Sequence, residues 1–125
     1  GGYRATTLRG GTRRCGWLGA APGFTPVDLF LPAMAGCSAI DVDFITSRIA
    51  EPVRFDVTSE GEKMRDGVEN HLGDIEITFT VRFPEGAEGD RARERLPKAI
   101  AQSRDRLCTV SRTVQRGADV HMREG

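Results

Sequence analysis

The stretch Thr25-Pro26-Val27-Asp28-Leu29-Phe30-Leu31-Pro32-Ala33-Met34-Ala35-Gly36-Cys37-Ser38-Ala39-Ile40-Asp41 decides how the chain is read. It opens with a helix start: Thr25 is suited to cap, Pro26 fits the first helical position, and Asp28 completes a capping-box pair. From Leu29 to Ala50 the chain is apolar up to Ile40 and then mixed, without turn signals, which predicts a long buried helix and not a strand. Pro32 must sit in the first turn or kink the helix. Gly36 in its middle predicts that something packs very close there. The helix must stop before Glu51-Pro52.

Working outward, Val53, Phe55 and Val57 alternate with Arg54, Asp56 and Thr58 as in a half-buried strand. Arg65 to Gly73 is polar and reads as a loop. Ile75, Ile77, Phe79, Val81 and Phe83 then alternate strictly with Glu76, Thr78, Thr80 and Arg82. A strand with one apolar face belongs to an antiparallel sheet covered on that side by a helix. After a turn at Glu85–Asp90, Ala92, Leu96, Ile100, Ser103 and Leu107 form the stripe of a second, amphipathic helix, with Glu94, Lys98 and Arg106 outside. Pro97 kinks or restarts it. Cys108-Thr109-Val110-Ser111 begins a further turn of helix that Gly117 closes, and Ala118–Glu124 reads as a last strand. Upstream, Gly10-Gly11 marks the turn of a weak hairpin pairing Tyr3–Arg9 with Thr12–Leu18. The order is that of an α+β fold in one domain, 1–125, with residues 1–24 as weak N-terminal strands.

Composition narrows the function classes. The chain has 125 residues, 38% of them hydrophobic and 29% charged, with 18 basic and 18 acidic side chains and no formal net charge. A domain of that size can bury an ordinary core without disulfides or metal. A neutral chain whose arginines are not interleaved with aromatics lacks the footprint of a nucleic-acid binder. No run approaches the about twenty apolar residues of a membrane span, so no membrane partner is expected. Three cysteines, Cys15, Cys37 and Cys108, leave an odd one, which argues against a secreted disulfide framework and for a reducing, cytoplasmic setting. Neither they nor His71 and His121 fall at metal-ligand spacing, so no metal and no cofactor are expected.

Each cysteine taken alone is more often a small buried hydrophobe than a nucleophile, because reactivity requires a lowered pKa and access. Cys37 shares its helical face with Phe30, Met34, Asp41, Phe44 and Arg48. The apolar members form a collar that restricts water and would raise the thiol pKa, and Asp41 at i+4 would raise it further. A reactive Cys37 therefore needs an arginine from elsewhere in the fold. Cys108 has Arg104 and Arg112 at i−4 and i+4, which reads either as an electropositive thiol site or as the solvated basic end of a helix.

The quoted helix resembles the core helix of the OsmC/Ohr family, in which a Pro, an acidic residue and a Leu-rich run lead into Ala/Gly-Cys. Leu107-Cys108-Thr109-Val110-Ser111 resembles that family's second motif, a Cys followed at +2 by Val. The resemblance covers about Thr25 to Val120. It implies an intertwined homodimer with sites at the subunit interface, an antiparallel sheet packed on the long helix, and thiol-dependent reduction of organic hydroperoxides. The thiol matching Cys37 would be the attacking residue and the thiol matching Cys108 the resolving one, with recycling by a dithiol reductant such as a lipoyl group.

Two positions depart from the pattern. In the peroxidase branch a glutamate directly follows the Pro, where this chain has Val27; Asp28, one step on, matches a broader OsmC-like branch. Asp28 also lies nine residues from Cys37, on the opposite face of an unbroken helix, which favours its capping role. The family's activating arginine sits on an early strand, where Arg4, Arg9, Arg13 and Arg14 are candidates, with Arg13 and Arg14 as the supporting pair; Cys15 has no counterpart. A catalytically silent relative that binds a small apolar or electrophilic ligand is the alternative to a peroxidase.

Overall fold

A computed structural model of the chain describes residues 2–6, 12–16 and 25–125. Strands β1 (Gly2–Thr6) and β2 (Thr12–Gly16) pair antiparallel with Tyr3 opposite Cys15 and Thr6 opposite Thr12. The rest of the expected hairpin, residues 7–9 and 17–18 and the Gly10-Gly11 turn, lies outside the described residues.

Helix α1 runs from Pro26 to Ser47. Both arms of its capping box form: the Asp28 N–H donates to Thr25 Oγ1 at 3.2 Å, and the Thr25 N–H donates to Asp28 Oδ2 at 3.0 Å. Two of the orphan amides of the first turn are thereby satisfied. Pro32 stands beyond that turn, and the helix continues through it. α1 packs against the strand Arg54–Asp66 and the helices Ala87–Gln102 and Thr109–Arg116. Its buried residues are Met34, Ala35, Ser38, Val42 and Thr46.

The helix expected to be buried is buried on one face only. Ile40 is 72% exposed and Phe44 59%, and the Arg48 guanidinium lies 4.1 Å from the centre of the Phe44 ring. By length and composition α1 also passes as a membrane-spanning helix, which the sequence reading did not anticipate. Packing within the chain accounts for the face that carries Met34, Ala35 and Val42, and leaves Ile40 and Phe44 uncovered. Gly36 departs from expectation as well: a Cβ placed there would meet nothing within 4 Å. It lines an open groove with Pro32, Ala35 and Phe55.

Strands β3 (Arg54–Asp66) and β4 (Glu69–Arg82) form an antiparallel hairpin in which Phe55 pairs with Val81 and Val57 with Phe79. The Phe55 and Phe79 rings meet edge to face, 6.4 Å apart. The residues read as a loop, Arg65 to Gly73, are instead mostly strand. The turn is only Gly67-Val68: Gly67 takes a φ of 73° and the Val68 N–H donates to the Asp66 carbonyl at 2.7 Å, a tight γ-turn that requires glycine's freedom. Residues 62–71 are exposed on both faces, so this end of the hairpin has no apolar alternation to read. Gly61 sits where the Leu31 side chain of α1 lands on β3, 3.5 Å from the position a Cβ would take.

Helix α2 (Ala87–Gln102) contains Pro97 and buries Ala92 and Ala99. Phe83, Ala50 and Ala92 form a compact core cluster flanked by Ile49, Val81 and Leu96. At Ser103 the helix widens into a π turn through Leu107, and α3 (Thr109–Arg116) follows. The π turn ends the 100° periodicity, so Leu107, expected on the buried stripe, is 43% exposed. Gly117 closes α3 in the left-handed conformation, its N–H donating to the Thr113 and Val114 carbonyls. The last strand expected at Ala118–Glu124 does not form: the segment is exposed and pairs with no strand among the described residues.

Candidate active site

The π turn sets Cys108 at the head of α3, as its N-cap. Its sulfur accepts the Ser111 N–H at 3.3 Å, and its own N–H donates to the Ser103 carbonyl at 2.9 Å. Cys108 is fully buried. The Cys37 thiol of α1 lies at the same place, close enough to the Cys108 thiol and the Val110 N–H for both to act on its titration. Neither thiol is in a disulfide.

Burial is the first reason that the Cys37 thiol is pushed above its ordinary 9.0. The Val110 N–H favours the thiolate, while Cys108 and the Asp41 carboxylate disfavour it. No guanidinium among the described residues offsets the rise. Arg104, four residues before Cys108, is exposed and engaged by Asp105 through two hydrogen bonds of 2.8 and 3.2 Å. Of the basic residues around Cys108, Arg104 and Arg106 are solvated and Arg112 is half-buried. Asp41 accepts the Ser103 hydroxyl at 2.9 Å.

Beside the thiols, a cavity of about 520 Å³ lies between the apolar face of β4 and the three helices. Met34, Ile75, Ile77, Phe79, Ile100 and Val114 line it, with Ser38 and Ser111 among its polar residues; these two adjoin Cys37 in sequence and the Cys108 sulfur by hydrogen bond.

A family model described as OsmC-like protein matches residues 19–123, nearly the whole chain. The chain belongs to the OsmC-like family. Its fold is similar to that of a hypothetical protein from Aquifex aeolicus (TM-score 0.71, 21% identity, covering 94% of this chain and 81% of the other). It is also similar to an OsmC-like protein of unknown function from Vibrio cholerae (TM-score 0.73, 11% identity, 91% and 79% covered). The comparison with curated proteins gave no match.

In this OsmC-like chain the residues singled out from sequence fall into three groups. Cys37 and Cys108 come together, and Met34 lines the neighbouring cavity. Phe30 and Phe44 do not line it, so the expected collar around the thiol is supplied by α1 only in part; β4 and α3 provide the rest. Asp28 is spent on the α1 cap. Arg13 and Arg14 lie on β2, and their side chains are outside the described residues.

Sequence reasoning did not single out Ser111 or the Val110 amide, and it placed Ser103 only on a packing stripe. The signal available was the capping pattern itself, in which Cys108 occupies the N-cap position and Ser111 N3. Asp66, Glu69 and His71 place ligand-type atoms within 4.8 Å of one another at the β3–β4 turn. All three are exposed, and the approaches of His71 to Asp66 (3.9 Å) and to Glu69 (3.7 Å) account for the grouping.

Proposed function

We propose that this OsmC-like chain is a thiol-dependent peroxidase that reduces organic hydroperoxides, with Cys37 attacking and Cys108 resolving. The observation that carries the reading is the meeting of two free thiols at the head of α3, beside an apolar cavity. The Cys37 thiolate attacks the terminal oxygen of the hydroperoxide; the O–O bond breaks, an alcohol leaves, and Cys37 becomes a sulfenic acid. The Cys108 sulfur then displaces the sulfenic hydroxyl as water, forming a Cys37–Cys108 disulfide. A dithiol reductant returns both thiols and is itself oxidised to a disulfide.

The first step needs a cation, since the described surroundings of Cys37 disfavour its thiolate. Arg13 or Arg14 of β2 is assigned that role, in one subunit or across a homodimer. The dimer is favoured by α1, whose most apolar stretch is only 28% buried within one chain. A patch holding Ile40 and Phe44 is of the kind that a second copy covers. A reducing, cytoplasmic setting follows from the same chemistry, which requires free thiols.

The test is to reduce the chain, add one equivalent of cumene hydroperoxide, and follow free thiols and intact mass over seconds. Loss of two thiols with a mass decrease of about two hydrogens is expected, the disulfide being the end of the ladder here. Cys37→Ser should abolish the reaction, and Cys108→Ser should stop it at a dimedone-reactive sulfenic acid. Thiols that survive excess hydroperoxide would overturn the reading and leave Cys37 as a packing residue beside a ligand pocket.

A further inference from the structure

We propose that Ser103 is the positioning residue of the resolving thiol: anchored to Asp41 of α1, it fixes Cys108 opposite Cys37 and sets how readily the two sulfurs join. The inference deepens the two-thiol reading of this site and rests on it.

The geometry is a ladder of two rungs between α1 and the α2–α3 junction. On α1, Cys37 and Asp41 are four residues apart and share a face. Facing them, Ser103 and Cys108 are five residues apart and are stacked by the π turn, whose closing bond runs from the Cys108 N–H to the Ser103 carbonyl at 2.9 Å. The upper rung is the pair of thiols. The lower rung is the hydrogen bond from the Ser103 hydroxyl to Asp41 Oδ2, also 2.9 Å. Ser103 therefore holds Cys108 through its backbone and α1 through its side chain. It is 1% exposed, so no water substitutes for either bond.

The π turn is what makes the register work. In an uninterrupted α-helix the Ser103 carbonyl would accept from Leu107, and Cys108 would stand about 140° away from Ser103 around the axis. The inserted residue instead delivers Cys108 to Ser103 and leaves Leu107 in solvent. Such single-turn widenings are costly and recur at functional sites. An anchoring bond beneath the widened turn is the contact that would hold it against reverting.

The reaction to measure is dithiol exchange, which needs no hydroperoxide: two electrons pass from Cys37 and Cys108 to glutathione disulfide, giving the protein disulfide and two glutathione thiols. The full chain is equilibrated with glutathione buffers of graded ratio, with Cys15→Ser as background to remove the third thiol. Ser103→Ala should lower the equilibrium constant for forming the disulfide about 10-fold, the scale of one net hydrogen bond lost. Asp41→Ala should give a similar loss, and the double variant no more than either single change, because one bond is removed in all three. Ser103→Thr keeps the hydroxyl and should recover most of the loss.

A purely structural hydrogen bond would lower the melting temperature and leave the exchange constant unchanged, and that result would overturn the proposal. So would a wild-type chain that forms no Cys37–Cys108 disulfide from glutathione disulfide. Should Ser103→Ala fail to fold, Asp41→Ala and Ser103→Thr decide alone: a lowered constant in the first with near-normal exchange in the second upholds the proposal, and any other pattern overturns it. A chain that passes this test yet ignores hydroperoxides would leave Ser103 as positioned here and remove only the peroxidase reading.

Discussion

The Cys108 sulfur accepts the Ser111 amide at 3.3 Å, so the residue assigned to resolve the sulfenic acid is also the N-cap of α3. Serine can cap in the same way and alanine cannot, and losing a cap costs about 1 kcal/mol. Cys108→Ser should therefore retain more stability than Cys108→Ala, which also leaves a small void at a fully buried position. Chemical denaturation of the two reduced variants measures the difference. An alanine variant as stable as the serine one would show that the sulfur contributes nothing to the cap.

Two glycines give opposite expectations from the same substitution. At Gly89 a Cβ would collide with the Pro84 carbonyl oxygen, a backbone atom that cannot step aside. Gly89→Ala must push the start of α2 off the Phe83–Pro84 segment and should destabilise by about 1–3 kcal/mol or more. At Gly36 the Cβ meets nothing, so Gly36→Ala should gain up to about 1 kcal/mol of helix propensity. Thermal melts of both variants test the pair. A destabilising Gly36→Ala would mean that a surface absent from the single chain packs on that residue.

The contrast between those glycines shows where the sequence was legible and where it was not. The capping box, the alternation of β4 and the Gly117 stop each depend on residues a few positions apart, and they could be read directly. The two-cysteine pattern singled out Cys37 and Cys108 as candidates through resemblance to a family rather than through local chemistry. What escaped was set by contacts between distant residues. The π turn at Ser103 follows from no local propensity, and it moved Leu107 out of the core. The exposed end of the β3–β4 hairpin carries no apolar pattern because nothing covers it. The packing expected at Gly36 is a property of whatever lies across from the helix, which the sequence of that helix does not contain.

The titration of Cys37 separates its immediate surroundings from the rest of the site. Burial first, then Cys108 and Asp41, hold the thiol above its ordinary 9.0. Removing the assigned cation should expose that tendency: in an Arg13→Ala/Arg14→Ala chain, iodoacetamide should alkylate Cys37 with a midpoint above 9.0, and the peroxidase reading requires a lower midpoint in the unaltered chain. The same variant should show a stability consequence with a definite sign. Below 9.0 the thiol is protonated both folded and unfolded and has no effect. Above it the unfolded chain releases a proton that the folded chain keeps, so stability falls as pH rises from 9.0 toward the raised folded value. Cys37→Ser on that background should remove this component of the alkaline slope. Equal midpoints in the two arginine backgrounds would exclude Arg13 and Arg14 as the activating groups.

Ile40 offers the most direct test of whether two chains assemble. It is 72% exposed on the outer face of α1, where Phe44 is also exposed. Exposed apolar side chains taken singly are ordinary, but here they extend along the longest and most apolar helix of the chain. If a second copy covers this face, Ile40→Glu places a charge in the interface without disturbing the fold of one chain, since residue 40 buries little within it. The expected result is a shift from dimer to monomer in sedimentation, with the far-ultraviolet circular dichroism spectrum unchanged. The substitution also bears on the assigned arginine: if that group crosses between subunits, the monomeric variant should lose hydroperoxide reduction together with the dimer. A variant that sediments as the unaltered chain does would place the interface elsewhere and leave this face of α1 uncovered.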